Sequence, residues 1–178
     1  MKETNYTNKN VIITGVANGV GKAVAEELKN ENLILLDIDE INLKELATNI
    51  NCEYFVCDVS DDQQILNVIS EINSRYERID CLINCAKMWI FGDMSKTGSN
   101  AFRKAIQNDL AQNNIKITDV CPGLIQTDFY KRANNELPNN IMETGLSPKD
   151  VASTVKFVLD LPHEITIPSI EVRNIKNY

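Results

Sequence analysis

Thr14-Gly15-Val16-Ala17-Asn18-Gly19-Val20-Gly21 comes directly after the apolar run Val11-Ile12-Ile13 and leads into a segment with helical patterning. Asn10 to Thr14 is short, continuous and β-branched, the pattern of a strand covered on both faces. Gly15 permits a tight turn out of that strand, and Gly19 lets backbone approach a bound group with no Cβ in the way. Gly21 lets the following helix pack close to the sheet. Over Val20 to Asn30, Val20, Val24 and Leu28 repeat at helical spacing, with Lys22, Glu26, Glu27 and Lys29 on the other faces. A glycine turn that opens a helix aims unpaired amides and the positive end of the helix dipole at one point. That arrangement suits an anion, and between a strand and a helix it suits the pyrophosphate of a dinucleotide. The glycine spacing alone would carry little weight; the strand before it and the helix after it supply the context.

Leu33 to Leu36 forms a second buried strand and completes a βαβ unit, which ends at Asp37. A carboxylate at the tip of that strand accepts hydrogen bonds from both ribose hydroxyls of an adenosine and repels a 2′-phosphate, so NAD is favoured over NADP. The competing reading is that Asp37 and Asp39 cap a helix over Glu40 to Asn49. Further along, the pattern predicts a strand over Cys52 to Cys57 and a helix over Asp61 to Tyr76. Ser60 is its expected cap, with Ile65, Val68, Ile69 and Ile72 inward. A fourth strand is expected over Ile79 to Asn84, then a helix over Lys96 to Asn113 with Phe102, Ala105, Ile106 and Leu110 on one stripe, and a strand over Ile115 to Val120. Leu124 to Gly145 reads as a polar flap, Ser147 to Leu161 as a helix started by Pro148, and Ile165 to Val172 as the last strand. This alternation predicts an α/β fold with a doubly wound parallel sheet, a Rossmann fold in three αβα layers. The expected strand order is 3-2-1-4-5-6, within a single domain over residues 1–178.

With 178 residues, 43% of them apolar and 24% charged, the chain has ordinary globular usage and length enough for a core. A net charge of -7 disfavours nucleic acid or an anionic membrane as partner. No apolar run is long enough to span a bilayer, and the polar start Met1 to Asn10 lacks the core of a signal peptide, so a cytoplasmic protein is expected. The five cysteines include no CxxC pair, and neither the pair Cys52/Cys57 nor the pair Cys81/Cys85 has a histidine nearby. They read as small buried thiols, and no metal site is expected. His163, the single histidine, comes after Pro162 and reads as a surface residue.

On these residues the chain resembles the short-chain dehydrogenases/reductases over nearly its whole length. Thr14 to Gly21 matches the family's TGxxxGxG, which places Thr14, Gly15, Asn18, Gly19, Val20 and Gly21 at cofactor-binding positions beside Asp37. Asp58-Val59 stands where the family has an adenine contact, and Asn84-Cys85-Ala86-Lys87 stands where it has NNAG, with Asn84 and Ala86 as cofactor contacts. Pro122-Gly123 comes after a later strand, and Thr127 holds the place of a threonine that binds the nicotinamide carboxamide. The resemblance implies an NAD(P)-dependent oxidoreductase acting on a small alcohol or carbonyl compound, in a family whose members form homo-oligomers. Lys96 falls on the catalytic lysine, which also holds the nicotinamide ribose.

Between Asn84 and Lys96 the chain departs from the family. Only twelve positions separate them, where relatives have a long helix, a strand carrying a serine, and the tyrosine of YxxxK. Gly92 stands at the tyrosine position, while Trp89-Ile90-Phe91-Gly92 resembles the segment that relatives carry immediately after NNAG, so two distant family segments meet near Met94 to Thr97. The sheet is then shortened by about one strand and one helix, leaving Ala101, Ala105 and Leu110 with an uncovered surface. Lys87 replaces a glycine where backbone normally passes close to the cofactor. The missing segment would carry the proton donor and the carbonyl-polarising serine; of the remaining tyrosines only Tyr130, in the flap, could swing near the site, and a loop side chain rarely has the precision a proton donor needs. The alternative to an oxidoreductase is a dinucleotide-binding protein without turnover.

Overall fold

The computed structural model describes residues 8–86, 115–128 and 144–177, which divide between two compact units. The first unit contains β1 (Asn10–Thr14), α1 (Gly19–Glu27), β2 (Asn32–Asp37), α2 (Glu40–Ile50), β3 (Glu53–Val56), α3 (Asp62–Arg75) and β4 (Cys81–Asn84). Its sheet runs β3-β2-β1-β4 with every neighbouring pair parallel. Thr14 pairs with Leu36 on one side and Asn84 on the other, and Asp37 pairs with Val56, so the carboxyl ends of all four strands share one edge. Right-handed crossovers put α1 and α2 on one face and α3 on the other. The burial pattern agrees. Ile34, Leu36 and Cys57 pack with Val68 and Ile72 of α3, while Val24 of α1, its C-cap Leu28, and Leu43 and Leu46 of α2 are buried. Val11 and Ile13 of the central β1 are fully buried, each stabilising the fold by about 1.5–3 kcal/mol relative to exposure. This is a parallel-sheet α/β fold of the Rossmann type.

The second unit contains β5 (Asp119–Pro122), α4 (Pro148–Leu159), β6 (Ser169–Val172) and a 3-10 turn (Ile175–Asn177). β5 and β6 pair in parallel from Asp119↔Ser169 to Pro122↔Val172. α4 starts as the sequence predicts: Pro148 opens it, and Ser147 and Asp150 form a reciprocal capping box.

Several features differ from expectation. Among the described residues the strands form two sheets, of four and of two, and not one run of six. The cap of α3 is Asp61, whose side chain accepts from Gln63 N and Gln64 N, whereas Ser60 turns its hydroxyl to Asp58. Ile69 is 46% exposed, because the inward stripe of α3 runs through Val68 and Ile72. β5 begins only at Asp119, and ahead of it the Lys116 ammonium donates to the carbonyls of Pro162 and Ile165. β6 begins at Ser169, after a turn in which Ile165 N donates to Pro162 O and after Pro168, which has no N–H to give. Of the cysteines only Cys57 is buried; Cys52, Cys81 and Cys85 are half-buried and Cys121 is exposed. His163 is exposed. The expected helix over Lys96 to Asn113, the junction near Met94 to Thr97, Lys87, Gly92, Tyr130 and most of the flap lie outside the described residues. Among the described residues no helix is long and apolar enough to cross a membrane, and no group of histidine, cysteine and carboxylate side chains is placed to hold a metal.

Candidate functional site

The glycine-rich turn leaves β1 at the shared carboxyl edge of the first unit. Gly15 has φ +70° and Gly19 has φ +58°, left-handed conformations that a side chain disfavours. Gly15 is also crowded, since a Cβ there would lie 2.5 Å from Ala86 N and 2.6 Å from Ala86 Cα. At Gly21 a Cβ would lie 2.1 Å from the Gly15 carbonyl oxygen, so this glycine lets the turn fold back over the start of α1. Its partner is the loop itself, a different close approach from the helix-on-sheet contact expected. Val16 and Ala17 are buried and anchor the turn from below.

Above that anchor the helix opens with its donors uncommitted. The first intrahelical bond runs from Lys22 N to Asn18 O at 3.3 Å, so the amides of Gly19, Val20 and Gly21 precede the ladder. Asn18 takes the N-cap position in an extended conformation, its side chain does not cap the helix, and the first turn carries no acidic residue. Thr127 belongs to the same unit, and its Cγ2 lies 3.4 Å from where a Cβ on Gly19 would stand.

Further hydrogen bonds tie the edge together. Asp37 accepts at both carboxylate oxygens, from Ala17 N at 2.8 Å and from Asp39 N at 2.9 Å. Asp39 in turn accepts from Asn42 N and caps α2, so the two readings of this acidic pair divide: Asp39 caps and Asp37 faces the turn. Thr14 Oγ1 accepts from Ala86 N at 3.3 Å and points to Asn84 Oδ1 at 3.4 Å, while Cys85 N donates to Thr14 O. Burial pushes the Cys85 thiol up to about 11, which leaves it a neutral group beside the turn.

Past β3, Asp58 Oδ1 accepts from the Ser60 hydroxyl at 2.7 Å and the Ser60 amide at 2.9 Å, and these bonds hold its carboxyl below the usual range. Val59 is 40% exposed, and Ile38, at the tip of the neighbouring β2, is 65% exposed. Ile38 escaped the sequence reading, although an apolar residue between Asp37 and Asp39 after a buried strand was the available signal. The first unit therefore assembles Thr14, Gly15, Asn18, Gly19, Val20, Gly21, Asp37, Asp58, Val59, Asn84, Ala86 and Thr127. Pro122 and Gly123 belong to the second unit, where Gly123 N donates to Val172 O at 2.8 Å. Lys96 lies outside the described residues.

A family model described as Enoyl-(Acyl carrier protein) reductase matches residues 15–110, more than half of the chain and the whole of the glycine turn beyond Thr14. The chain belongs to the short-chain dehydrogenase/reductase family. Within it, an NAD-dependent glycerol dehydrogenase of Listeria innocua is 38% identical over 90 residues, covering 48% of this chain and 35% of that protein. The chain thus spans about a third of that relative's length. Dehydrogenase/reductase SDR family member 11 of Mus musculus is 21% identical over 246 residues, covering 94% of this chain and 95% of that one. Among solved structures, a betaketoacyl-ACP reductase (FabG) from Bacteroides thetaiotaomicron matches with a TM-score of 0.80 at 19% identity, over 96% of this chain and 98% of its own. At that identity the likeness establishes the short-chain dehydrogenase/reductase fold and leaves chemistry to the residues.

Proposed function

We propose that this family member binds a nicotinamide dinucleotide, with NAD favoured over NADP, and that it is built for hydride transfer to or from a small alcohol or carbonyl compound. The observation that carries this reading is the cradle: left-handed Gly15 and Gly19, and a Gly21 with no room for a Cβ, beneath three helix-opening amides. The amides of Gly19, Val20 and Gly21 would hold the pyrophosphate. Asp37 would accept from the adenosine ribose through its outward lone pairs, Asp58 and Val59 with Ile38 would border the adenine, and Thr127 would meet the carboxamide end. Asn84 and Ala86 would contribute further cofactor contacts at the end of β4. Supporting NAD, the Asp37 carboxylate opposes a 2′-phosphate.

When bound, the dinucleotide supplies or takes the hydride; everything else falls to the protein. Lys96 is the residue we assign to hold the nicotinamide ribose and to lower the pKa of a proton donor. With Gly92 at the donor position in sequence, general acid catalysis worth about 10²- to 10⁴-fold is lost. A second reading, a dinucleotide-binding protein without turnover, draws support from this gap and from one comparison. The alignment to the mouse relative extends over 246 positions, more than the 178 residues of this chain, so it must open gaps here.

Thermal denaturation with saturating NAD⁺, NADH and NADP⁺ tests the binding half. The melting temperature is expected to rise with NAD⁺ or NADH and less with NADP⁺. No shift with any of them, together with no effect of Gly19→Val, would refute the assignment. Nicotinamide absorbance followed over a broad panel of alcohols and ketones separates the two readings: substrate-dependent change supports the oxidoreductase, and binding without change supports the non-catalytic protein.

A further inference from the structure

Asp37 makes bonds that contact with a ribose does not require. One carboxylate oxygen takes the Ala17 amide at 2.8 Å and the other takes the Asp39 amide at 2.9 Å, while the main chain of Asp37 accepts from Cys57 N at 3.0 Å. Ala17 is 4% exposed, so its amide has little access to water and depends on the carboxylate for an acceptor. Gly15 N is likewise committed, to Leu36 O at 2.9 Å. The turn is therefore fastened to the end of β2 at two points, Gly15 and Ala17, and the second lies just ahead of the left-handed Gly19. Ala17 N is spent within the protein, which leaves the Gly19 to Gly21 amides as the turn's donors for a bound anion.

We infer that Asp37 is a positioning residue of the phosphate turn: its carboxylate clamps the Ala17 amide and thereby sets the Gly19–Gly21 amides, separately from its bond to ribose. The ligand of this clamped turn rests on the dinucleotide reading; its geometry rests on the two carboxylate hydrogen bonds. A charge-assisted bond to an otherwise unpaired amide is among the stronger local restraints available. Substituting Asp37 to admit a 2′-phosphate then also loosens the turn that holds the pyrophosphate.

The test uses the full chain with Asp37→Ala and Asp37→Asn, two nucleotides, and one measurement without ligand. Calorimetry compares ADP with 2′,3′-dideoxy-ADP, which keeps both phosphates and adenine and lacks the ribose hydroxyls. Nuclear magnetic resonance tracks hydrogen exchange at the Ala17 amide in the free protein. Asp37→Ala is expected to weaken dideoxy-ADP about tenfold and to speed Ala17 exchange by at least a similar factor. Asp37→Asn, whose carbonyl oxygen still accepts from Ala17, is expected to recover most of both. Unchanged dideoxy-ADP affinity in Asp37→Ala with a slow Ala17 amide would overturn the clamp. If the wild type binds neither nucleotide and its melting temperature does not respond to NAD⁺ or NADH, the dinucleotide reading falls by itself, and an Ala17 amide that quickens in Asp37→Ala still supports the clamp. Should Asp37→Ala not fold, the same exchange measurement on Asp37→Asn decides: an amide as slow as wild type fits a retained acceptor, and a fast one contradicts it.

Discussion

Two glycines of the same turn are indispensable for different reasons, and single substitutions separate them. At Gly21 a side chain meets the Gly15 carbonyl oxygen at 2.1 Å, a backbone atom that cannot swing aside. Gly21→Ala should therefore destabilise the protein by about 3 kcal/mol, through displacement of the turn. At Gly19 the nearest atom to a new Cβ is 3.4 Å away, so the cost is the left-handed φ, about 1 kcal/mol. Urea midpoints at unchanged slope measure both, and equal losses would contradict this division. Asp58 offers a titration with a definite sign. Hydrogen bonds from Ser60 hold its carboxyl below the usual range, so the folded protein gains from its ionised form. That contribution is present above the unfolded value, about 3.9, and is lost as pH falls through the lower folded value. Ser60→Ala should move the Asp58 titration upward in a carboxyl-detected experiment, and an unmoved curve would show that the hydroxyl is not its cause.

The helix starts show what a linear sequence discloses about elements. α3 comes after Asp58-Val59-Ser60-Asp61, a run in which several residues are competent caps. Only the three-dimensional turn selects Asp61, whose carboxylate accepts from Gln63 N and Gln64 N while Ser60 donates its hydroxyl to Asp58. Asp61→Ala should accordingly cost about 1 kcal/mol of stability in chemical denaturation, and Ser60→Ala much less; the reverse order would restore Ser60 as the cap. Where a local rule had one candidate the sequence was sufficient: β1 spans Asn10–Thr14 as its apolar run implies, and Ser147-Pro148 begins α4. The rule fell short where distant partners matter, as at β5, which pairs with β6 only from Asp119, fifty positions before its partner Ser169. The candidate site divides likewise. Its glycines were legible, since spacing and backbone freedom are local properties, but the bond from Asp37 to Ala17 joins residues twenty positions apart and has no local signature.

At the scale of the molecule, the cradle and the sheet below it belong to one compact unit, so a ligand held by the turn must also stabilise the strands that carry it. Gly15 is bonded to Leu36, Ala17 to Asp37 and Ala86 to Thr14, which ties β1, β2 and the exit of β4 to the turn. Linkage gives the size of the effect: at a free ligand concentration of about 100 times Kd, binding adds about 2.7 kcal/mol to the stability of the binding-competent state. Amides of Val11, Ile13, Ile34 and Leu35, which are released only when that unit unfolds, should therefore exchange about a hundredfold more slowly with NAD⁺ at that concentration. On the proposed NAD preference, the same concentration of NADP⁺ should protect them less, since the Asp37 carboxylate would oppose its additional phosphate. Protection confined to the turn, with β1 and β2 exchanging as in the free protein, would mean that the turn opens independently of its strands. The two-point attachment through Gly15 and Ala17 would then be too weak to couple nucleotide binding to the sheet.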